Sequence, residues 1–369
     1  MIKRVSIIAT LIIAFVAFYA SQSLAAEIKL GIMVPTTGSV AADGKTMENA
    51  MKLAVEEINA KGGVLGNKIV TVTGDDACDP QQGTAAASKL ISEGVVGVVG
   101  GYCSGSTLPT LKLYGDAGIP LIIPAANSTK LIPANQGNAF LINSTGADQS
   151  DTAINLFKKL GVKNLSVVHM GDAYSEDLAK LSRDKWKRVG KVVSFDVVNQ
   201  GEQDFSALAF SIKRKKADAV FWTAYYSEGA LLIKQLKQIG FRGTIAVGDG
   251  SNNAKLIEIG GKATEGVYCF SNPTADYLPG AKQFTMDYKK QFKQAPGAYS
   301  PLSYDGMYLM ADALKRAGST NQKAIINALK NTKAFKGIAG SISFTKQNTL
   351  ATSNFVVLKV EGGKFKLHK

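Results

Sequence analysis

Residues 95–123 read VVGVVGGYCSGSTLPTLKLYGDAGIPLII. The apolar run Val95 to Val99 reads as a strand, the segment from about Ser106 to Gly115 as a helix, and Pro120 to Ile123 as a second strand. Two strands separated by a helical crossover lie parallel in one sheet. The same alternation extends upstream. Ile28 to Val34 is a strand, Thr46 to Lys61 a helix with Met47, Ala50, Met51, Ala54, Val55 and Ile58 on one face, Ile69 to Val72 a strand, and Pro80 to Glu93 a helix. This βαβαβαβ order predicts a parallel sheet covered on both faces, a doubly wound α/β lobe.

From Val162 the order repeats. Strands Leu165 to His169, Val192 to Val197, Ala219 to Trp222 and Thr244 to Val247 alternate with helices Tyr174 to Val189, Phe205 to Lys216 and Glu228 to Ile239, which predicts a second doubly wound lobe. The rest of the chain supplies strand Val267 to Phe270, helices near Gly280 to Gln291, Pro301 to Ala317 and Gln322 to Lys330, and strands Ser341 to Phe344, Phe355 to Val360 and Lys364 to Leu367. These are expected to complete the lobes. No linker rich in Pro, Ser or charge ends either run, so the lobes are expected to share several crossings that act as a hinge.

A chain of 369 residues suits two domains, and 46 % apolar with 20 % charged residues is an ordinary globular composition. His169 and His368 are the only histidines, and Cys78, Cys103 and Cys269 the only cysteines, which leaves little material for a metal site or a histidine-based hydrolase. Lys3 and Arg4 precede the apolar run Val5 to Tyr19, and Ser21 to Ala26 are small or polar: residues 1–26 are a secretory signal, cleaved after Ala25 or Ala26. That apolar run falls short of the ~20 residues that span a bilayer. Loss of the signal lowers the net charge from +14 to +12. The lysines are dispersed, and no nucleic-acid partner is expected.

Export places the cysteines where disulfides persist. Cys78 and Cys103 each follow a short apolar run, so both sit just past the carboxyl ends of strands and are paired if those strands are neighbours. Cys269 lies in an apolar segment and reads as a buried thiol.

In open parallel sheets a ligand lies beyond the carboxyl ends of the strands. Those ends carry Pro35 to Asp43, Tyr102 to Ser106 and Pro124 to Ser128 in the first lobe, and Met170 to Tyr174, Thr223 to Ser227 and Gly248 to Gly250 in the second. The Ser104 hydroxyl and the N–H groups of its loop suit an anion at the start of a helix, although a serine there is commonly a plain cap. Asp249, between two glycines, suits an ammonium group. Tyr174, Tyr225 and Tyr226 supply rings and hydroxyls that could close over a ligand. An anion receiver facing an ammonium receiver describes a zwitterion.

Several stretches resemble the periplasmic binding proteins for branched-chain amino acids, the leucine/isoleucine/valine-binding type of type I solute-binding protein. They are Asp75-Asp76-Ala77-Cys78-Asp79-Pro80, Ile58 to Gly63 with Gly66-Asn67-Lys68, Cys103-Ser104 with Ser106-Thr107, Pro124-Ala125-Ala126, and Gly201-Glu202 with Asp204-Phe205-Ser206. The resemblance implies a Venus-flytrap of two lobes joined by a three-strand hinge, 27–145 plus 273–349 against 146–272 plus 350–369. It implies a periplasmic carrier, with no catalysis and no cofactor or metal, that delivers an amino acid, branched-chain first, to a membrane ABC permease with ATPase subunits; a monomer is the plain expectation. By match of motif, Ser104 and the N–H of Asn127 would hold the ligand carboxylate, and the Ala125 carbonyl and Asp249 its ammonium. Tyr174 and Tyr225 would close from the second lobe, with Tyr102, Cys103 and Tyr299 lining the side-chain pocket, and Cys78 to Cys103 matches the family disulfide.

Three positions depart from the pattern. Asn127, followed by Ser128, stands where a Thr or Ser is usual, Asp249 is one methylene shorter than the glutamate of the leucine-binding relatives, and Asp43 and Tyr102 align with an aromatic residue and a leucine at the pocket mouth. Polar or basic amino acids, short amides or urea, and aromatic acids therefore stand as alternative ligands. An enzyme is the competing class, but no G-x-G-x-x-G opens a helix and no G-x-x-x-x-G-K-[ST] occurs. A sensor ectodomain of the same fold is a further class.

Overall fold

Strands β1 (Glu27–Val34), β2 (Lys68–Asp75), β3 (Gly97–Gly100), β4 (Leu121–Ile123) and β5 (Ala139–Leu141) form a five-stranded parallel sheet in the order β2-β1-β3-β4-β5. The computed structural model describes residues 27–368, so the signal expected at 1–26 and Lys369 lie outside the described residues. All of β3, β4 and β5 is buried, as helices on both faces of the sheet require.

A seven-stranded sheet follows: β6 (Asn164–His169), β7 (Lys191–Val197), β8 (Ala219–Trp222), β9 (Thr244–Val247), β10 (Tyr268–Ser271), β13 (Val356–Val360) and β14 (Phe365–Leu367), in the order β14-β13-β10-β9-β8-β6-β7. Its first five strands in sequence are parallel, and the last two add antiparallel at one edge. Phe157, Phe221 and Phe270 meet edge to face, with ring centroids 5.4–5.8 Å apart, and anchor the core of this half.

Helices Lys282–Phe292, Ser300–Ala317 and Gln322–Lys330 return to the first sheet. Close packing there needs glycine: a Cβ at Gly306 would stand 2.8 Å from Val99 Cγ1, and one at Gly97 2.8 Å from the Met310 sulfur. The chain thus passes between the sheets three times, near residues 142–145, 272–281 and 343–355. These passages are bonded to one another. Asn272 Nδ2 donates to Asn143 Oδ1, and Ser144 Oγ donates to Asn354 Oδ1 at 2.7 Å.

The structure departs from the sequence reading in four places. The helix expected from Thr46 begins at Ala41, because its first turn carries no apolar face to signal it, and Asp43 therefore lies inside the helix. The helix expected from Ser106 begins at Ser104. The strand expected at Ser341 to Phe344 does not complete a lobe: β12 (Ser341–Ile342) pairs only with β11 (Phe335–Lys336), as a separate two-stranded ribbon. The stretch between Ser128 and Val162, which carries no clear pattern, holds β5 and helix Gly146–Lys159, the latter opened by a Thr145–Asp148 capping box in which Thr145 N and Oγ1 both donate to Asp148 Oδ2, at 2.9 and 2.6 Å.

Candidate ligand-binding site

In the first sheet the strand order reverses between β1 and β3, and in the second between β6 and β8, and crevices open at the carboxyl ends of such neighbours. The two sets of ends face each other: Tyr226 OH donates to Ser39 O at 2.8 Å, and Lys130 Nζ lies 2.8 Å from Glu176 Oε2. Tyr102, Ala125, Ala126, Asn127, Tyr174, Tyr225, Asp249, Gly250 and Tyr299 line a narrow space between them, tightly closed by their side chains.

The loop at the end of β3 is fixed covalently. Cys78 is bonded to Cys103, with Cα atoms 5.3 Å apart, as expected, but their strands are not neighbours: β1 lies between β2 and β3, and the loops beyond the strand ends bring the two cysteines together. Cys78 takes a left-handed φ of 59°, and the turn that bends it is held by Asp75 Oδ1, which accepts from Thr36 N at 2.8 Å and Ala77 N at 3.0 Å. Cys103 itself sits behind the enclosed space. Cys269 is a free, buried thiol, as expected, and burial pushes its pKa up.

Asp249 follows β9 and is 2 % exposed. Its Oδ1 accepts from Tyr174 OH at 2.7 Å and Gln149 Nε2 at 2.9 Å, and its Oδ2 accepts from Asn127 Nδ2 at 2.9 Å. Burial raises its pKa above the ordinary carboxylate range, and no cation faces it among the described residues. The flanking glycines admit a side chain more than a backbone. A Cβ at Gly248 would stand 2.5 Å from Tyr174 OH, and one at Gly250 3.0 Å from the Tyr174 ring and 3.1 Å from the Tyr225 ring.

Four tyrosines form the walls. Tyr225 lies 5.5 Å from Tyr174 and 6.0 Å from Tyr102, centroid to centroid, and Tyr299 stands edge-on to Tyr102 at 5.4 Å. Tyr102 OH donates to Asp43 Oδ2 at 2.8 Å, so Asp43 stands behind this ring.

Ser104 is buried at the start of helix Ser104–Asp116 beside Tyr102, and its Oγ accepts from Ser128 N at 3.2 Å. Thr107 is the first residue of that helix whose N–H reaches a helical carbonyl, Cys103 O at 3.0 Å, so the N–H groups of Ser104, Gly105 and Ser106 precede the ladder. The Ala125 carbonyl accepts from Asn143 Nδ2 at 2.5 Å, and Asn127 Oδ1 is buried without a partner. Ser104, Cys103 and Asp43 thus stand just outside the enclosed space, whereas Tyr102, Ala125, Asn127, Tyr174, Tyr225, Asp249 and Tyr299 line it.

Residues 27–364 match the family described as periplasmic binding protein. The chain belongs to the periplasmic binding protein family. A leucine-specific-binding protein of Salmonella typhimurium is 31 % identical over 355 residues, 95 % of each chain. A Leu/Ile/Val-binding protein homolog of Brucella melitensis is 30 % identical over 345 residues, 92 % of this chain and 91 % of that one. Among solved structures, a leucine binding protein from Thermotoga maritima superposes with a TM-score of 0.87 at 28 % identity, over 93 % of this chain and 98 % of that chain. The branched-chain amino acid transporter substrate binding protein of Streptococcus pneumoniae, in complex with isoleucine, gives 0.86 at 28 % identity, over 92 % and 98 %.

Three contributors to this periplasmic binding protein's cleft escape the sequence reading. Gln149 orients Asp249, and its Nε2 also donates to Phe270 O at 2.7 Å. Asn253 Nδ2 donates to Asp43 Oδ1 at 2.7 Å from the opposite side of the cleft. Asp177 accepts from Ser128 Oγ at 3.0 Å and from Thr129 N at 2.6 Å, and so bonds a helix of the second lobe to the β4 loop of the first. The Thr145-x-x-Asp148 spacing before Ala153, Ile154 and Phe157 would have placed Gln149 on a buried helix, but no local pattern marks the other two.

Proposed function

We propose that this protein is an extracytoplasmic solute-binding subunit that captures an amino acid between its lobes and delivers it to an ABC permease with ATPase subunits. One observation carries the reading: a buried carboxylate, Asp249, closes the second-lobe side of a cleft whose other side presents the start of helix Ser104–Asp116. A carboxylate buried without a cation is costly until an ammonium reaches it, and helix N–H groups attract a carboxylate. The α-ammonium goes to Asp249, Asn127 Oδ1 and the Ala125 carbonyl, and the α-carboxylate to Ser104 and the Asn127 N–H. The named relatives support leucine, isoleucine and valine as the side-chain class; Asp43 behind Tyr102 favours a polar or basic one.

The lobes, 27–145 with 273–349 and 146–272 with 350–369, close about the three bonded crossings, and ligand selects the closed form by its differential affinity. The reading includes removal of the signal after Ala25 or Ala26, a monomer, and no catalysis. Melting temperature of the refolded, ligand-stripped protein against a panel of amino acids, amides and aromatic acids tests it, since a ligand of the native state raises the midpoint. A rise with amino acids bearing free α-groups, lost on amidation or acetylation, is expected. No rise with any amino acid overturns the reading.

A further inference from the structure

The seam between the lobes holds two buried carboxylates arranged in the same way from opposite sides. Asp249, on the second lobe, accepts from Tyr174 OH and Gln149 Nε2 on its own side, at 2.7 and 2.9 Å, and from the Asn127 amide across the seam at 2.9 Å. Asp43, on the first lobe and also 2 % exposed, accepts from Tyr102 OH on its own side and from the Asn253 amide across the seam, at 2.8 and 2.7 Å. Each lobe thus offers one carboxylate, aimed by one tyrosine hydroxyl and met from the other lobe by a neutral amide. Tyr225 stands between the two tyrosines, and among the described residues no lysine or arginine lines this space.

Charge decides what this arrangement suits. A neutral α-amino acid brings one ammonium, which Asp249 takes, and one carboxylate, which the neutral donors near Ser104 take. Asp43 is then left buried in the closed cleft with only neutral partners, which disfavours its ionised form. A second cationic group in the ligand removes that imbalance. Hydrogen bonds with both partners charged are roughly twice as strong as neutral ones, so an ammonium outcompetes the Asn253 amide, and the tyrosine faces attract the same charge.

We propose that the cleft selects an amino acid with a cationic side chain, whose distal nitrogen passes the Tyr102 ring to reach Asp43 and the Tyr102 hydroxyl behind it, while its α-ammonium pairs with Asp249. This rests on the amino-acid reading and assigns its side-chain class. Asp43 and Tyr102 are then the specificity-determining pair.

Calorimetric titration of the ligand-stripped protein at pH 8 tests it with matched pairs, ornithine against norvaline and lysine against norleucine, which share a carbon skeleton and differ by the terminal ammonium. The cationic member of at least one pair is expected to bind about tenfold tighter or more. Asp43→Asn is expected to reduce that ratio to below about threefold. Equal or weaker binding of both cationic members overturns the proposal, and so does a ratio that Asp43→Asn leaves unchanged. Should that variant fail to fold, the wild-type ratio decides alone. Binding of norvaline, norleucine or leucine without the cationic members removes the side-chain assignment and keeps the amino-acid reading; binding of none of them removes both.

Discussion

Asn127 Nδ2 donates to Asp249 Oδ2 across the cleft, and the same side chain's Oδ1 is buried without a partner. One amide therefore occupies an acceptor of the buried carboxylate and offers an acceptor of its own. An arriving ammonium can take both, displacing the Nδ2 bond to Asp249 and donating to Oδ1. The charged bonds so gained exceed the neutral bond lost.

Removing the charge at Asp249 removes most of that gain. Asp249→Asn keeps the side chain's size and is expected to weaken amino-acid binding by about 3 kcal/mol or more, which is on the order of a hundredfold in Kd, by titration calorimetry. Binding within threefold of the wild type would place the ammonium elsewhere.

Asp177 acts at a distance from the enclosed space. It bonds Ser128 and Thr129 from the opposite lobe, beside the Lys130–Glu176 pair, and so stabilises the closed arrangement alone. Asp177→Ala should shift the protein toward an open form, seen as a larger radius of gyration in solution scattering. It should weaken ligand binding in proportion to the closed fraction lost, without altering selectivity among ligands.

Asp43 gives a pH dependence of unusual sign. Burial outweighs the hydrogen bonds from Tyr102 and Asn253 and pushes its carboxyl from 3.8 up to about 7. Between those values the folded chain keeps a proton that the unfolded chain has lost, so this residue makes the ligand-free protein less stable as pH rises from about 4 to about 7, with no further change above. Asp76, at about 6, and Asp305, at about 7, act in the same direction, so the contribution of Asp43 is read as a difference. Asp43→Asn should match the wild type in melting temperature near pH 4 and exceed it near pH 8.

The Cys78–Cys103 bond closes a sequence separation of 25 residues, which in the chain-entropy account corresponds to about 3 kcal/mol. Reduction should lower the denaturation midpoint accordingly. It should also weaken ligand binding in protein that remains folded, because Tyr102 and Ser104 flank the bonded cysteine.

The residues that line the cleft are legible where they follow apolar runs. Tyr102, Tyr174, Tyr225 and Asp249 all stand at the carboxyl ends of parallel strands, and the strand pattern locates those ends without knowledge of any long-range contact. Their partners are not legible in this way. Gln149 and Asp249 are 100 residues apart, joined by the packing of helix Gly146–Lys159 on the second sheet, and Asp43 and Asn253 are 210 apart, joined only when the two sheets are brought face to face. Helix Gly146–Lys159 is hard to read for a different reason. Its signal lies in a capping pair, whereas strand β5 before it has three residues, too few for periodicity to register.

The three crossings are tied together by Asn143, Asn272, Ser144 and Asn354, so the lobes have in effect one axis on which to turn. The turn that parts Asn127 from Asp249 also parts Asn253 from Asp43. On the proposed reading the two ends of a ligand are consequently not scored separately: the cleft would behave as a logical AND, staying shut on a solute that satisfies both carboxylates and releasing one that satisfies either alone.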